Sequence, residues 1–144
     1  MRRIAASLVA VMALAACEPT PDERVAEQLT HAVQAALARP DRLVALRELD
    51  AVTWQRAEVF GPYTLDNALP EKLKHDARVA AIGIGGRDDV TMLVLWSGQV
   101  PAAVVAVPRG TADLSSVGRQ PFYRTDCLAL GPGVPPQVAL KANC

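Results

Sequence analysis

The chain is 144 residues long and carries 15 Lys and Arg against 15 Asp and Glu, so its formal net charge is zero. That balance provides no basic excess of the kind nucleic-acid binding demands, and nucleic acid is not an expected partner. Three cysteines and two histidines are too few and too scattered for a zinc framework, and neither a metal nor an organic cofactor is expected.

Arg2 and Arg3 open the chain, and an apolar run follows over residues 4–16. A bilayer span needs roughly 20 apolar residues, so this run is too short to cross one. It fits the core of a secretory signal, with the positive charges held on the cytoplasmic side. The run closes on Leu14-Ala15-Ala16-Cys17, which resembles the lipobox of bacterial lipoproteins. The resemblance implies that residues 1–16 are a signal peptide cut before Cys17, whose thiol takes a diacylglycerol and whose new amine is acylated. Two or more acyl chains give a durable membrane anchor. An ordinary secretory signal cut after Ala16, or an uncleaved buried helix, are the alternatives. Glu18 follows the cysteine. In lipoproteins of enteric-type bacteria an aspartate there favours the inner membrane, so the expected location is the outer membrane, facing the periplasm. Losing Arg2 and Arg3 with the signal leaves a formal charge of −2.

Residues 17–20 form a short tether that reaches only about 10 Å. Thr20-Pro21-Asp22-Glu23 then reads as a helix start, with Thr20 as N-cap, Pro21 in the first turn and Glu23 closing a capping box. Val25, Leu29, Val33 and Leu37 recur every four residues and predict an amphipathic helix about 27 Å long, ended by Arg39-Pro40. Its mixed outer face points to a core-facing helix rather than a membrane-surface one. Leu43, Leu46 and Leu49 predict a short helical connector, residues 54–60 a first strand and residues 70–76 a short helix.

The strongest β signal lies beyond. Residues 79–84, 90–96 and 99–107 predict three antiparallel strands joined by turns at residues 85–89 and at Ser97-Gly98. Residues 90–96 are apolar at nearly every position, as a central strand requires. Pro101 marks an edge or a bulge. Residues 109–121 are loop-like, residues 122–130 predict a further strand, and residues 137–141 a last short one. Cys127 and Cys144 form an even pair beyond the signal and are expected to be disulfide-bonded in an oxidising compartment. The expected architecture is α+β: an N-terminal amphipathic helix packed on an antiparallel meander, in one domain over residues 21–144.

Chemistry-bearing residues are sparse. His31 falls on the polar helix face, His75 and Asp76 are sequence neighbours that rarely face each other, and Ser97 lacks a nucleophile elbow. Ile82-Gly83-Ile84-Gly85-Gly86 leads into Arg87-Asp88-Asp89 and another strand, so a hairpin turn is expected there rather than a phosphate loop. No catalytic residue is assigned, and the chain is expected to be no enzyme. Trp54 and Phe60, six residues apart, are expected on one face of a strand, joining Trp96 beneath the helix.

Trp54-Gln55-Arg56-Ala57-Glu58-Val59-Phe60-Gly61-Pro62-Tyr63-Thr64 resembles a motif of small bacterial lipoproteins and secreted proteins with no established activity, in which a Trp precedes Phe-Gly-Pro-Tyr and a later hairpin. The likeness covers about residues 43–109. Many members have an acid where this chain has Gln55, which puts any role of that acid in doubt here. Read on its own chemistry, the tetrad is a corner: Phe60 ends a strand, Gly61 permits an unusual backbone angle, Pro62 fixes the exit direction, and Tyr63 packs its ring. A structural corner is the first reading; the second is a recognition corner of Trp54, Arg56, Phe60, Pro62 and Tyr63, with Tyr63 presented beside Arg56. The expected function is a lipid-anchored, non-enzymatic envelope protein that binds or assembles with another envelope protein. The alternative is an inhibitor or regulator of an envelope enzyme, acting through residues 109–121.

Overall fold

The computed structural model describes residues 17–144, and the expected signal segment lies outside the described residues. The fold is α+β with two antiparallel sheets. Helix α1 (Pro21–Leu37) starts on a complete capping box: the Thr20 hydroxyl accepts the Glu23 N–H, and the Glu23 carboxylate accepts the Thr20 N–H. Its buried stripe is Val25, Leu29, Ala32, Val33 and Ala36. Strands β1 (Leu43–Ala45), β6 (Cys127–Leu130) and β7 (Val138–Lys141) form one sheet in the order β1-β6-β7. Strands β2 (Arg56–Phe60), β3 (Val90–Ser97), β4 (Val100–Pro108) and β5 (Phe122–Tyr123) form the other, in the order β4-β3-β2-β5.

The single meander expected from residues 79–107 is corrected in two ways. Residues 77–82 are helix α3 (Ala77–Ile82), continued by a 3-10 turn at Ile84–Gly86, and β2 takes the place beside β3. Asp76 explains the change: its carboxylate accepts the Arg78 N–H as an N-cap, and Gly83 adopts φ +66 as the C-cap. Residues 122–130 divide between two sheets because Asp126 turns the chain. Its carboxylate accepts the N–H groups of Tyr123 and Asn143, and it is 7% exposed. Residues 43–49 hold the short helical turn expected there, a 3-10 turn at Leu46–Glu48, preceded by strand β1. Helix α2 (Glu71–Lys74) is short.

Strand β3 is buried from Val90 to Trp96 because both its faces are covered. Leu93 and Leu95 join α1, Val44, Leu128 and Val138 in one core, so the two sheets share it. Met92, Val94 and Trp96 join Phe60, Leu73, Val79 and Ile84 in a second core beneath α2 and α3. Each large apolar side chain buried in this way contributes about 1.5–3 kcal/mol. β4 is an edge strand with a bulge where Trp96 faces Pro101. Two of its free groups are occupied: Asp22 accepts the Val104 N–H at 2.9 Å, and Arg78 donates to the Pro101 carbonyl at 3.1 Å. Arg78 also reaches Asp22 and Asp76, so one guanidinium joins the helices on opposite faces around the sheet edge. Blocking an edge with charged side chains removes a template for strand addition.

Cys127 and Cys144 form a disulfide across a sequence separation of 17. It ties the last residues of the chain to β6.

Candidate recognition corner

The corner begins where β2 ends. Phe60 is 1% exposed in the second core, and its ring lies 5.2 Å beneath the Arg119 guanidinium. The unusual backbone angle expected at Gly61 sits on Tyr63 instead, at φ +59. A non-glycine residue in the left-handed region is strained by about 1–2 kcal/mol and needs its surroundings to hold it. The restraint here is backbone: the Tyr63 N–H donates to the carbonyls of Ile84 at 3.1 Å and Arg87 at 3.2 Å. The Thr64 hydroxyl closes the turn by donating to the Gly61 carbonyl at 2.7 Å. Residues 84–86 approach closely because Gly85 has no side chain; a Cβ there would lie 3.3 Å from the Thr64 carbonyl. The glycine-rich segment is the back wall of this corner, neither a strand nor a phosphate loop.

This wall leaves Tyr63 59% exposed, and Leu65, two residues on, is 61% exposed. Beside them, Arg87 grips Asp89 through two hydrogen bonds, which hold the Asp89 carboxyl below its usual range. Arg109 donates to the Asp88 carbonyl and forks onto Asp113. That fork, with the Ser115 hydroxyl and N–H, lowers the Asp113 pKa to about 2. The start of the 109–121 segment is therefore braced against the 87–89 turn behind the Tyr63 corner. Two surfaces that the sequence presents separately lie at one end of the molecule.

The other candidate residues are dispersed. Trp54 precedes the regular strand, so strand parity does not govern it. It is buried in the first core, with its indole N–H donating to the Leu49 carbonyl at 2.6 Å, whereas Phe60 and Trp96 lie in the second core. Arg56 is not beside Tyr63. It starts β2, facing Trp96 and Tyr123 across the sheet, while Phe60 ends β2 about 13 Å away at the usual strand rise. Its guanidinium stacks 4.8 Å from the centre of the Trp96 ring and lies 3.9 Å from Glu58. Pro62 is half-buried at the exit of the corner. Gln55 accepts the Gly98 N–H and secures the β3–β4 turn. Leu65, Ile84 and Gly85 were missed as parts of the corner, since the only sequence signal for them was an exposed leucine after the tetrad and a glycine run.

His31 and His75 are both exposed, and they sit on different helical segments. Asp76 is engaged by Arg78, and His75 has Glu71 as its neighbour at 3.8 Å. An open groove of about 1040 Å³ runs between α1 and the end of β4, lined by Arg24, Glu27, His31, Glu48 and Pro108 among others. Among the described residues no three His, Cys, Asp or Glu side chains converge as a metal site, and no helix is long and apolar enough to cross a membrane. Cys17 is exposed and unpaired. Comparison of the chain with family models, curated proteins and solved structures finds no match.

Proposed function

We propose that the chain is a lipid-anchored protein of the bacterial envelope, held at the outer membrane through Cys17 and facing the periplasm, where it binds another envelope protein without catalysing a reaction. Kinship with the small lipoproteins that carry the Trp…Phe-Gly-Pro-Tyr motif is part of the same proposal. The anchor rests on the charged, apolar and small-residue order of residues 1–17. The observation that carries the binding role is the Tyr63–Leu65 surface: two large exposed side chains on a backbone strained at Tyr63 and braced from behind. Strain of this kind is retained at sites that must present a side chain in one orientation, and Tyr is a favoured anchor at protein interfaces because it offers apolar area and a polar tip.

The test has two arms. Radiolabelled palmitate is expected to enter the wild-type protein and not the Cys17→Ser variant; equal labelling of both, or of neither, removes the anchor. A photo-crosslinking residue at position 63 or 65 is expected to capture one discrete envelope protein in intact cells, and the same residue at the exposed Val134 is not. Capture only from Val134 moves the binding surface elsewhere.

A further inference from the structure

The direction in which the tether leaves the domain is set by α1 and β4. Asp22, in the first turn of α1, accepts the Val104 N–H. Later turns of the helix, at Glu27 and His31, share a groove with Ala106 and Pro108. The helix therefore runs along β4 in the same direction as the strand, with its start on the Val100 side and its later turns on the Pro108 side. Arg78 fixes the start of the helix there, bonding Asp22 and the Pro101 carbonyl together. Only Glu18, Pro19 and Thr20 then separate Cys17 from the helix, a reach of about 10 Å. Because the helix leads away from the β3–β4 turn, the geometry directs Cys17 toward that end of the molecule.

That end has a surface of consistent chemistry. Val100 beside the turn is 64% exposed, and Tyr123, paired with Arg56, is 51% exposed. β5 runs toward the same end, because Tyr123 faces Arg56 and Arg56 faces Trp96 near the close of β3. Arg124 continues from it, stacked over Trp54 and donating to the Arg47 carbonyl. An exposed valine, an exposed tyrosine and the arginines 47 and 124 suit the headgroup layer, where aromatic rings and cations both settle. Of the carboxylates at this end, Glu58 is engaged with Arg56 and Glu23 in the capping box, while Glu18 and Glu48 are exposed and are offset by Arg47 and Arg124.

We infer that this end, the β3–β4 turn with Val100 and the Tyr123–Arg124 segment, rests on the phospholipid headgroups of the bilayer that anchors Cys17, so that the Tyr63 corner faces away from the membrane. The inference rests on the lipid-anchor reading. Tyr63 follows the far end of β2, and β3 alone spans about 25 Å between the two ends. The short tether and the stiff sheet together carry the recognition corner clear of the lipid surface.

The experiment supplies the anchor chemically. Cys17 is the free thiol of the processed chain, the other two cysteines being paired, so a maleimide-bearing phospholipid attaches there selectively. The conjugate is placed in bicelles of zwitterionic and anionic phospholipid containing a headgroup spin label, and amide signals are followed by NMR. Residues 97–100 and 123–124 are expected to broaden several-fold more than residues 63–65. Strongest broadening at residues 63–65, or equal broadening at both ends, overturns the orientation. Because the thioether replaces cellular acylation, the outcome reads the orientation independently of palmitate labelling in cells.

Discussion

Tyr63 combines a strained backbone with an exposed ring, so strain and side chain separate by mutation. Tyr63→Gly removes the left-handed penalty of about 1–2 kcal/mol and adds the extra unfolded-state entropy of glycine, about 0.5–1 kcal/mol. Urea denaturation should show stability unchanged to slightly higher while crosslinking to the envelope partner disappears; a large loss of stability would make the ring a packing element instead. Asp113 sets a pH dependence of definite sign. Its folded pKa of about 2 lies below the ordinary 3.8, so its stabilisation is present above pH 4 and fades as pH falls toward 2. With Arg109 at 39% exposure, solvent screening reduces the effect to about 1 kcal/mol. Urea midpoints measured from pH 5 to pH 2 should fall less steeply in Asp113→Asn than in the wild type. Asp76, held low by its hydrogen bond from Arg78, adds a decline of the same sign.

The elements differ in how far their causes are local. The capping box of α1 involves residues three apart, and Thr20→Ala should cost about 1 kcal/mol in thermal or urea unfolding. Asp22→Ala acts at longer range, since it leaves the Val104 N–H on the β4 edge and one face of Arg78 without a partner. It should cost more than Thr20→Ala, about 1–3 kcal/mol, and raise concentration-dependent association in sedimentation as the edge opens. The disulfide is an element of the chain end. Cys144→Ser should lower stability by about 3 kcal/mol on loop-closure grounds and speed hydrogen exchange in β7. Strand β3 was legible because six apolar residues among the seven from Val90 to Trp96 call for burial on both faces, and the Pro101 bulge because proline cannot donate within a sheet. Residues 79–84 misled for a physical reason: valine, isoleucine and alanine in a short run fit a strand or a buried helical turn equally well. Asp76 and Gly83, the two caps, decide between them.

At the scale of the whole molecule, β3 links the two cores, one shared by both sheets and α1, the other beneath α2 and α3. Leu95→Ala in the first core should cost 2–5 kcal/mol, as buried leucine truncations do. It should lower the melting transition as a single step whether followed by fluorescence or by circular dichroism, because neither core closes without β3. The residues of the tetrad were visible in the sequence, but their arrangement was not. Tyr63 and Arg56 look adjacent in the chain, yet a strand carries them to opposite ends, and the partners of Tyr63 come from Ile84 and Arg87 more than twenty residues away. The sequence alone determined the features whose causes lie within a few residues: a charged, then apolar, then small-residue run ending at Cys17, the apolar character of residues 90–96, an even cysteine pair and the absence of a basic excess. The tertiary structure alone decided that there are two sheets, which way α1 runs along β4, and that a tyrosine rather than a glycine bears the strained angle. Those outcomes depend on contacts between segments distant in the chain, and no local pattern encodes which distant carbonyl will be waiting for the Tyr63 N–H.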